Sequence, residues 1–281
     1  MSPIQNQTIR AATPDDQSKL TRLIHDDVYN HSHSGWRSPL DWLGHQPFLI
    51  MEKNDQAVAA LACPPDPANI HWIRLFTCST KLSLLPTWEQ LWGAAWEQCR
   101  HKGVALSMCT GPWFVRLLKH SHFRHINNVL MLSWKWRSLP PQRTVPGLEI
   151  RPMQKSDLAS VLAVDVASFD PIWQISMATL QLALYNSLVA TVAVQDNRIV
   201  AYQITSPAPF SGHLSRLATH PDAQRQGIGL NLVSALLAEL SNQGTIRLTV
   251  NTQQNNLASL ALYKKVGFQP TGDVYPVYAY P

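Results

Sequence analysis

The sequence predicts an α/β protein: a mixed, mostly antiparallel sheet flanked by helices, built twice along the chain. Three observations predict it. Runs with period-two apolar alternation and stripes with helical period follow one another along the chain. The opening IRAATPDDQSKL at residue 9 returns as IRPMQKSDLASV at residue 150, an offset of 141. Near the far ends, WFVRLLKHSHFR (113–124) lies on ASLALYKKVGFQ (258–269), an offset of 145. Similar offsets at both ends argue for two copies of one domain. A length of 281 residues suits two domains of about 140 residues each. The expected boundaries are 1–137 and 148–281, joined by SLPPQRTVPG (138–147), whose three prolines and glycine read as a linker.

Taken in order, Ile9-Arg10 ends a strand. Thr13 caps a helix with Pro14 at its first position, and Leu20, Leu23 and Ile24 form its apolar face. FLIMEKNDQAVAALAC (48–63) reads as a hairpin around Asn54-Asp55, and IHWIRLFTC (70–78) as the next strand. Trp88, Trp92 and Trp96 recur every four residues on the helix that follows. That spacing suits core packing, or alternatively a stacking platform for bases or sugars. Nine of the ten tryptophans fall in this first copy.

The second copy repeats the order with one addition. Ile150-Arg151 precede a helix capped near Lys155-Ser156-Asp157, with Leu158, Val161, Leu162 and Asp165 on successive turns. A hairpin turns at Gln195-Asp196-Asn197, and HLSRLAT (213–219) is the next strand. Gln224, Gly227 and Gly229 then space a Q-x-x-G-x-G turn. Leu230, Leu232, Val233, Leu236, Leu237 and Leu240 give the helix after it a buried face, closed by Gly244. Glycines let backbone N–H groups approach an anion, and the helix adds its N-terminal dipole, so the turn is suited to phosphates. TIRLTVN (245–251) is a buried strand, and LASLALYKKV (257–266) a helix with Gly267 as its cap.

Two motifs, LATHPDAQRQGIGLNLVSALL (217–237) and N-x-x-S-x-x-L-Y-x-x-x-G-F at Asn256, Ser259, Leu262, Tyr263, Gly267 and Phe268, stand in the order and spacing of one family. Residues 149–281 resemble the GNAT superfamily of acyl-CoA-dependent N-acyltransferases, and residues 9–136 resemble a degenerate second copy, making two tandem GNAT-like domains. The resemblance implies acetyl-CoA as donor. Leu217, Ala218 and Thr219 would pair through their backbone with the pantetheine arm. The pyrophosphate would sit on backbone N–H groups of Gln224, Arg225, Gln226, Gly227, Ile228 and Gly229. Arg225 either adds a side-chain phosphate contact or is a solvated arginine. Asn256, together with Ser259, would contact the coenzyme, a role compatible with helix capping.

The same resemblance puts Tyr263 at the general acid's position, where a phenol protonates the departing sulfur. Relatives often carry a glutamate matching His213 or Ser215, but no carboxylate lies between Gly212 and Thr219. His213 is the candidate base. Asp170, or a water relay without a dedicated base, are the alternatives. In the first copy Leu118 replaces Tyr263, His122 replaces Gly267, and no Q-x-x-G-x-G follows Cys78, so no acyl transfer is expected there.

Composition narrows the partners. Net charge is +5 with a pI near 9.1; the basic residues are scattered with no long run, and a modest positive potential would also serve a polyanionic coenzyme, so charge alone does not decide, and no nucleic-acid partner is expected. Cys63, Cys78, Cys99 and Cys109 show no C-x-x-C spacing and read as reduced thiols. His31, His33, His120, His122 and His125 match no zinc spacing, so no metal is expected. No apolar run is long enough for a membrane span and no leader-like segment opens the chain, so the expectation is a cytoplasmic protein. The acceptor would be an amine-bearing small molecule or peptide, with oligomeric state open. A non-catalytic acyl-CoA-binding sensor or scaffold is the alternative from another class.

Overall fold

The computed structural model describes residues 7–26, 28–33, 35–99, 103–135, 144–208 and 211–280. Most of the 138–147 linker lies outside these residues. Two compact units form, Met1–Ile126 with Tyr275–Pro281, and Asn127–Val274. The first unit therefore takes in the last residues of the chain, and the second takes in residues 127–135.

The first unit contains β1 (Gln7–Ala11), α1 (Gln17–His25), β2 (Val28–Ser32), β3 (Phe48–Lys53), β4 (Gln56–Ala62), β5 (Ile70–Trp72), β6 (Leu75–Ser79), α2 (Leu84–Cys99), β7 (Val104–Met108), α3 (Pro112–His120) and the start of β8 (Arg124–Lys135). Strands β1-β3-β4-β6-β2 pair antiparallel in that order. The stretch 70–78, expected as one strand, is two. Ile73 N–H bonds Leu106 O and Arg74 N–H bonds Ala62 O, so the chain changes partner at that step. Before it, β5 runs parallel to β7; after it, β6 pairs with β4. Residues 277–280 close the unit by pairing antiparallel with β7.

The tryptophan stripe is core. Trp88 and Trp92 stack 5.7 Å apart, Trp92 and Trp96 5.6 Å apart, and Tyr280 lies edge-on to Trp96 at 4.6 Å. Trp88 and Trp92 are buried with Phe76, Phe114 and Phe123. The stacking platform is thereby set aside, because these ring faces are spent on one another.

The second unit holds β9 (Leu148–Pro152), α4 (Leu158–Ser168), α5 (Met177–Tyr185), β10 (Val189–Gln195), β11 (Arg198–Ala208), β12 (Ser211–Thr219), α6 (Ile228–Asn242), β13 (Arg247–Gln253), α7 (Leu257–Val266) and most of β14 (Gln269–Tyr280). Its strands run β8-β13-β12-β11-β10-β9. All neighbours are antiparallel except β12 and β13, which are parallel. Leu132 and Trp134 of β8 are buried with Leu214, Leu248, Val250 and the inner faces of α6 and α7.

Local geometry repeats between the units as the sequence offsets predict. Arg10 clasps Asp16 with two 2.7 Å bonds, and Arg151 clasps Asp157 at 2.7 and 2.9 Å. In each case the same carboxylate also accepts a backbone N–H three residues upstream, from Thr13 and Gln154, at 2.8 Å. Each clasp fixes the exit from the first strand into a one-turn helix that leads into α1 or α4. Both hairpins turn on two positive-φ residues, Asn54-Asp55 and Asp196-Asn197, as tight hairpins require. At the helix ends, Phe268 N–H bonds Tyr263 O at 2.9 Å and Phe123 N–H bonds Leu118 O at 3.0 Å. Gly267 and His122 both take left-handed φ there, 102° and 63°. This is two copies of one α/β domain, each a mixed, mostly antiparallel sheet flanked by helices.

Candidate functional site

In the second unit the parallel pairing of β12 and β13 lasts only three residues. Gly212, His213 and Leu214 face Leu248, Thr249 and Val250. Both strands continue, β12 to Thr219 and β13 to Gln253, without further pairing to each other. On its other side β12 stays bonded to β11 as far as Thr219. From Ser215 onward, then, the β13-facing edge of β12 has no strand partner among the described residues, and its backbone polar groups are available to an extended ligand.

Ser215 is also a bulge. Arg216 faces Ile204 and Leu214 faces Thr205, leaving Ser215 without a partner across the ladder. Its hydroxyl bonds Ser206 Oγ at 2.8 Å and donates to His213 O at 3.1 Å. A bulge inserts one extra residue and shifts the in–out alternation by one.

The free edge leads into the glycine turn. Gly227 caps α6 with φ 94°, a left-handed conformation natural to glycine, and Arg225 also has positive φ, 63°. Gln224 Nε2 donates to Thr219 O at 3.1 Å, so its side chain braces the turn against the strand. Gln226 Nε2 donates to Asp222 O at 3.4 Å. Gln224, Arg225 and Gln226 are exposed, whereas Ile228 is buried against Ala223 and Leu232. A Cβ on Gly229 would stand 3.4 Å from Leu262 and 3.7 Å from Thr219 Oγ1, so α6 packs closely on α7 and the strand. The first N–H groups of α6 have no intrahelical acceptor and lie at the positive end of the helix.

Asn256 caps α7 by accepting the Ser259 N–H at 3.1 Å. One turn on, Tyr263 is buried with Leu214, Val250 and Phe268, and burial pushes its phenol well above the usual tyrosine range. Its hydroxyl has no hydrogen-bond partner among the described residues, which leaves it free to donate to a ligand. His213 is half-buried; its Nδ1 lies 2.9 Å from Thr249 Oγ1, and burial lowers its pKa below the ordinary histidine value. Thr249 Oγ1 in turn lies 3.3 Å from Gly212 O. If the threonine hydroxyl donates to Gly212 O, Nδ1 carries the ring proton and Nε2 is left as the acceptor.

Sequence reasoning missed one constellation. Asp165, in the helical stripe of α4, is fully buried. Its Oδ2 accepts from Arg216 Nε at 2.7 Å and from the Tyr202 hydroxyl. Arg216 Nη2 donates to Trp173 O at 2.8 Å, and the guanidinium lies 3.8 Å from the Phe169 ring centroid. The only signal in the sequence is a carboxylate on an apolar helix face, which requires a buried partner. Asp170, the alternative base, caps the one-turn helix Pro171–Trp173 that the arginine anchors.

The first unit forms the same parallel start, β5 against β7 for three residues. There the corresponding free edge, along β6, is taken. Val28–Ser32 pairs antiparallel with Ser79–Leu75 along its whole length. His31 of that strand is buried, stacked 3.9 Å from Phe114, and burial lowers its pKa to about 4. Among the described residues, no group of three or more His, Cys, Asp or Glu gathers as a metal centre, and no helix is long and apolar enough to cross a membrane. All four cysteines are buried free thiols.

The second unit thus joins a strand edge left free beside a bulge to a glycine turn that opens a helix. Residues 158–268 match the model of the Acetyltransferase (GNAT) family. The [ribosomal protein bS18]-alanine N-acetyltransferase of Salmonella typhimurium is 36% identical over 73 residues, 26% of this chain and 49% of that one. Its Escherichia coli counterpart is 35% identical over 74 residues, 26% and 50% of the two chains. The chain thus spans about half the length of these curated relatives. Among solved structures, a GCN5-related N-acetyltransferase from Sphaerobacter thermophilus superposes with TM-score 0.66 at 15% identity, covering 100% of this chain and 96% of that one. A tandem GNAT protein from the clavulanic acid biosynthesis pathway gives 0.68 at 11% identity, covering 98% of each. At such identities the likeness is one of fold, and the fold is two GNAT-like domains in tandem.

Proposed function

We propose that the second unit is an N-acetyltransferase that moves an acetyl group from acetyl-CoA to an amine by direct attack, in the cytoplasm. The observation that carries this reading is the free edge of β12 beyond Leu214, continuous with the turn at 224–229. The pantetheine amides pair along Leu217, Ala218 and Thr219, as a missing strand would. The pyrophosphate rests on the N–H groups of residues 224–229, with Arg225 free to reach a phosphate. Asn256 and Ser259 line the same end.

In the reaction the amine lone pair attacks the thioester carbonyl. A backbone N–H of the free edge stabilises the oxyanion. His213 takes the proton from nitrogen, directly or through water, the C–N bond forms and the C–S bond breaks. The sulfur leaves with the proton of Tyr263, whose raised pKa keeps it protonated until a thiolate develops. The acceptor is an amine on a small molecule or a peptide; the bS18-alanine enzymes above make a peptide N-terminus one candidate. The direct test is release of free thiol from acetyl-CoA across an amine panel. Amine-dependent release supports the proposal. Coenzyme binding without release for any amine would replace it with a sensor or scaffold.

A further inference from the structure

The first unit repeats a strand motif of the second with one partner missing. HWIRLFT (71–77) lies on HLSRLAT (213–219) at an offset of 142, which matches Arg74 to Arg216 in sequence. Arg216 is neutralised by the fully buried Asp165 of α4. On α1 the residues at offsets of 141 and 142 from Asp165 are Ile24 and Leu23, and both are apolar. Arg74 has no carboxylate at ion-pair distance among the described residues. Its Nη2 donates to the backbone O of Asp66, at 3.4 Å.

A second cation shares its neighbourhood. Arg37 Cζ lies 4.5 Å and Arg74 Cζ 5.0 Å from the ring centroid of the buried Trp42. Burial pushes the pKa of Arg74 down to about 10; the charge of Asp66 opposes that shift and the charge of Arg37 adds to it. Asp41, next to Trp42 in the chain, turns a carboxylate oxygen to the Ser38 N–H at 2.7 Å. Arg74 Nε is sealed from solvent without a partner, whereas Nη1 is unpartnered and not sealed. Arg37 makes no hydrogen bond among the described residues, and its nitrogens are likewise not sealed. A ring face attracts a guanidinium but accepts none of its in-plane N–H donors. A cation left buried without a counter-charge is costly.

We propose that Arg37 and Arg74 form a binding site in the first unit for a small oxyanion, a carboxylate or a phosphate, distinct from the glycine turn of the second unit. Each guanidinium is a planar fork of donors suited to such oxygens. Contact with Trp42 restrains both side chains, so less freedom is lost when an anion binds. The anion supplies to Arg74 the counter-charge that Asp165 supplies to Arg216, and it relieves the repulsion between the two arginines. Carboxylate and phosphate share this chemistry.

The test titrates the full chain calorimetrically with inorganic phosphate and with succinate, chloride holding the ionic strength constant. The native protein should bind at least one of them saturably. Arg37→Gln, at a side chain with no hydrogen bond to lose, should weaken that binding by about tenfold or more, the loss of one charge-assisted bond. Arg74→Met, which keeps an unbranched stem beside Trp42 without the charge, should remove it. Binding of both probes marks a general oxyanion site, and binding of one alone identifies the class. No saturable binding of either probe overturns the inference. So does native affinity in a folded variant, which would put the anion elsewhere, as at the 224–229 turn. If Arg74→Met fails to fold, Arg37→Gln decides alone.

Discussion

His213 and Arg216 stand three residues apart on β12 and still project from one face, because Ser215 is bulged out of the ladder between them. The base candidate and the anchored guanidinium therefore lie on the same face of the sheet. Catalytic power in such a site comes first from holding amine and thioester together, and proton handling comes second.

Proton handling has a pH signature. Burial disfavours the imidazolium of His213, so its folded pKa lies below the ordinary 6.5. Above that value the ring is neutral and able to accept a proton; below it, the base is lost. At saturating amine, kcat should rise with pH through a pKa below 6.5 and then level off. His213→Gln should remove this acid limb and lower kcat by about 10²-fold. An acid limb that survives the substitution would assign the base to another group, such as Asp170.

Tyr263→Phe tests the other proton. The ring stays in its buried position with Leu214 and Phe268, so folding and coenzyme affinity should be preserved. Turnover should fall by about 10²-fold or more, as general acid catalysis is typically worth that much. Unchanged turnover would show that the sulfur finds its proton elsewhere.

Calorimetry should find one acetyl-CoA per chain. The second unit presents a free edge on β12, whereas the first fills the corresponding edge of β6 with its own β2. Gly227→Val should abolish the single binding event. It forces a β-branched residue to φ 94°, at a cost of at least about 1–2 kcal/mol, and crowds the phosphate path. Two equivalents bound by the native chain, or native affinity in the folded variant, would refute the assignment.

A fragment of residues 148–274 should fail to fold, while 127–274 should be soluble and cooperative. The shorter fragment lacks the β8 residues that pair with all of Arg247–Gln253, and with them buried Leu132 and Trp134. Within the intact chain, Trp134→Ala should cost about 3–5 kcal/mol, measurable as a lower denaturant midpoint. A well-folded 148–274 fragment would mean that β8 is dispensable to the second unit.

Much of this was legible in the sequence because it is local. The glycine turn at Gly227, the Asn256 cap and both Asn/Asp hairpin turns are each specified within about ten residues, where backbone sterics and helix periodicity act directly. The twofold repeat and the glycine turn followed from that register. Partner choice along a strand edge is another matter, since any extended apolar run can pair with many others. Only the tertiary structure decided that residues 129–135 cover β13, that the last residues of the chain pair with β7, and that β2 closes the edge its counterpart leaves open. It alone joined Asp165 to Arg216 across 51 residues of sequence, because a buried carboxylate announces a need for a partner but not which one.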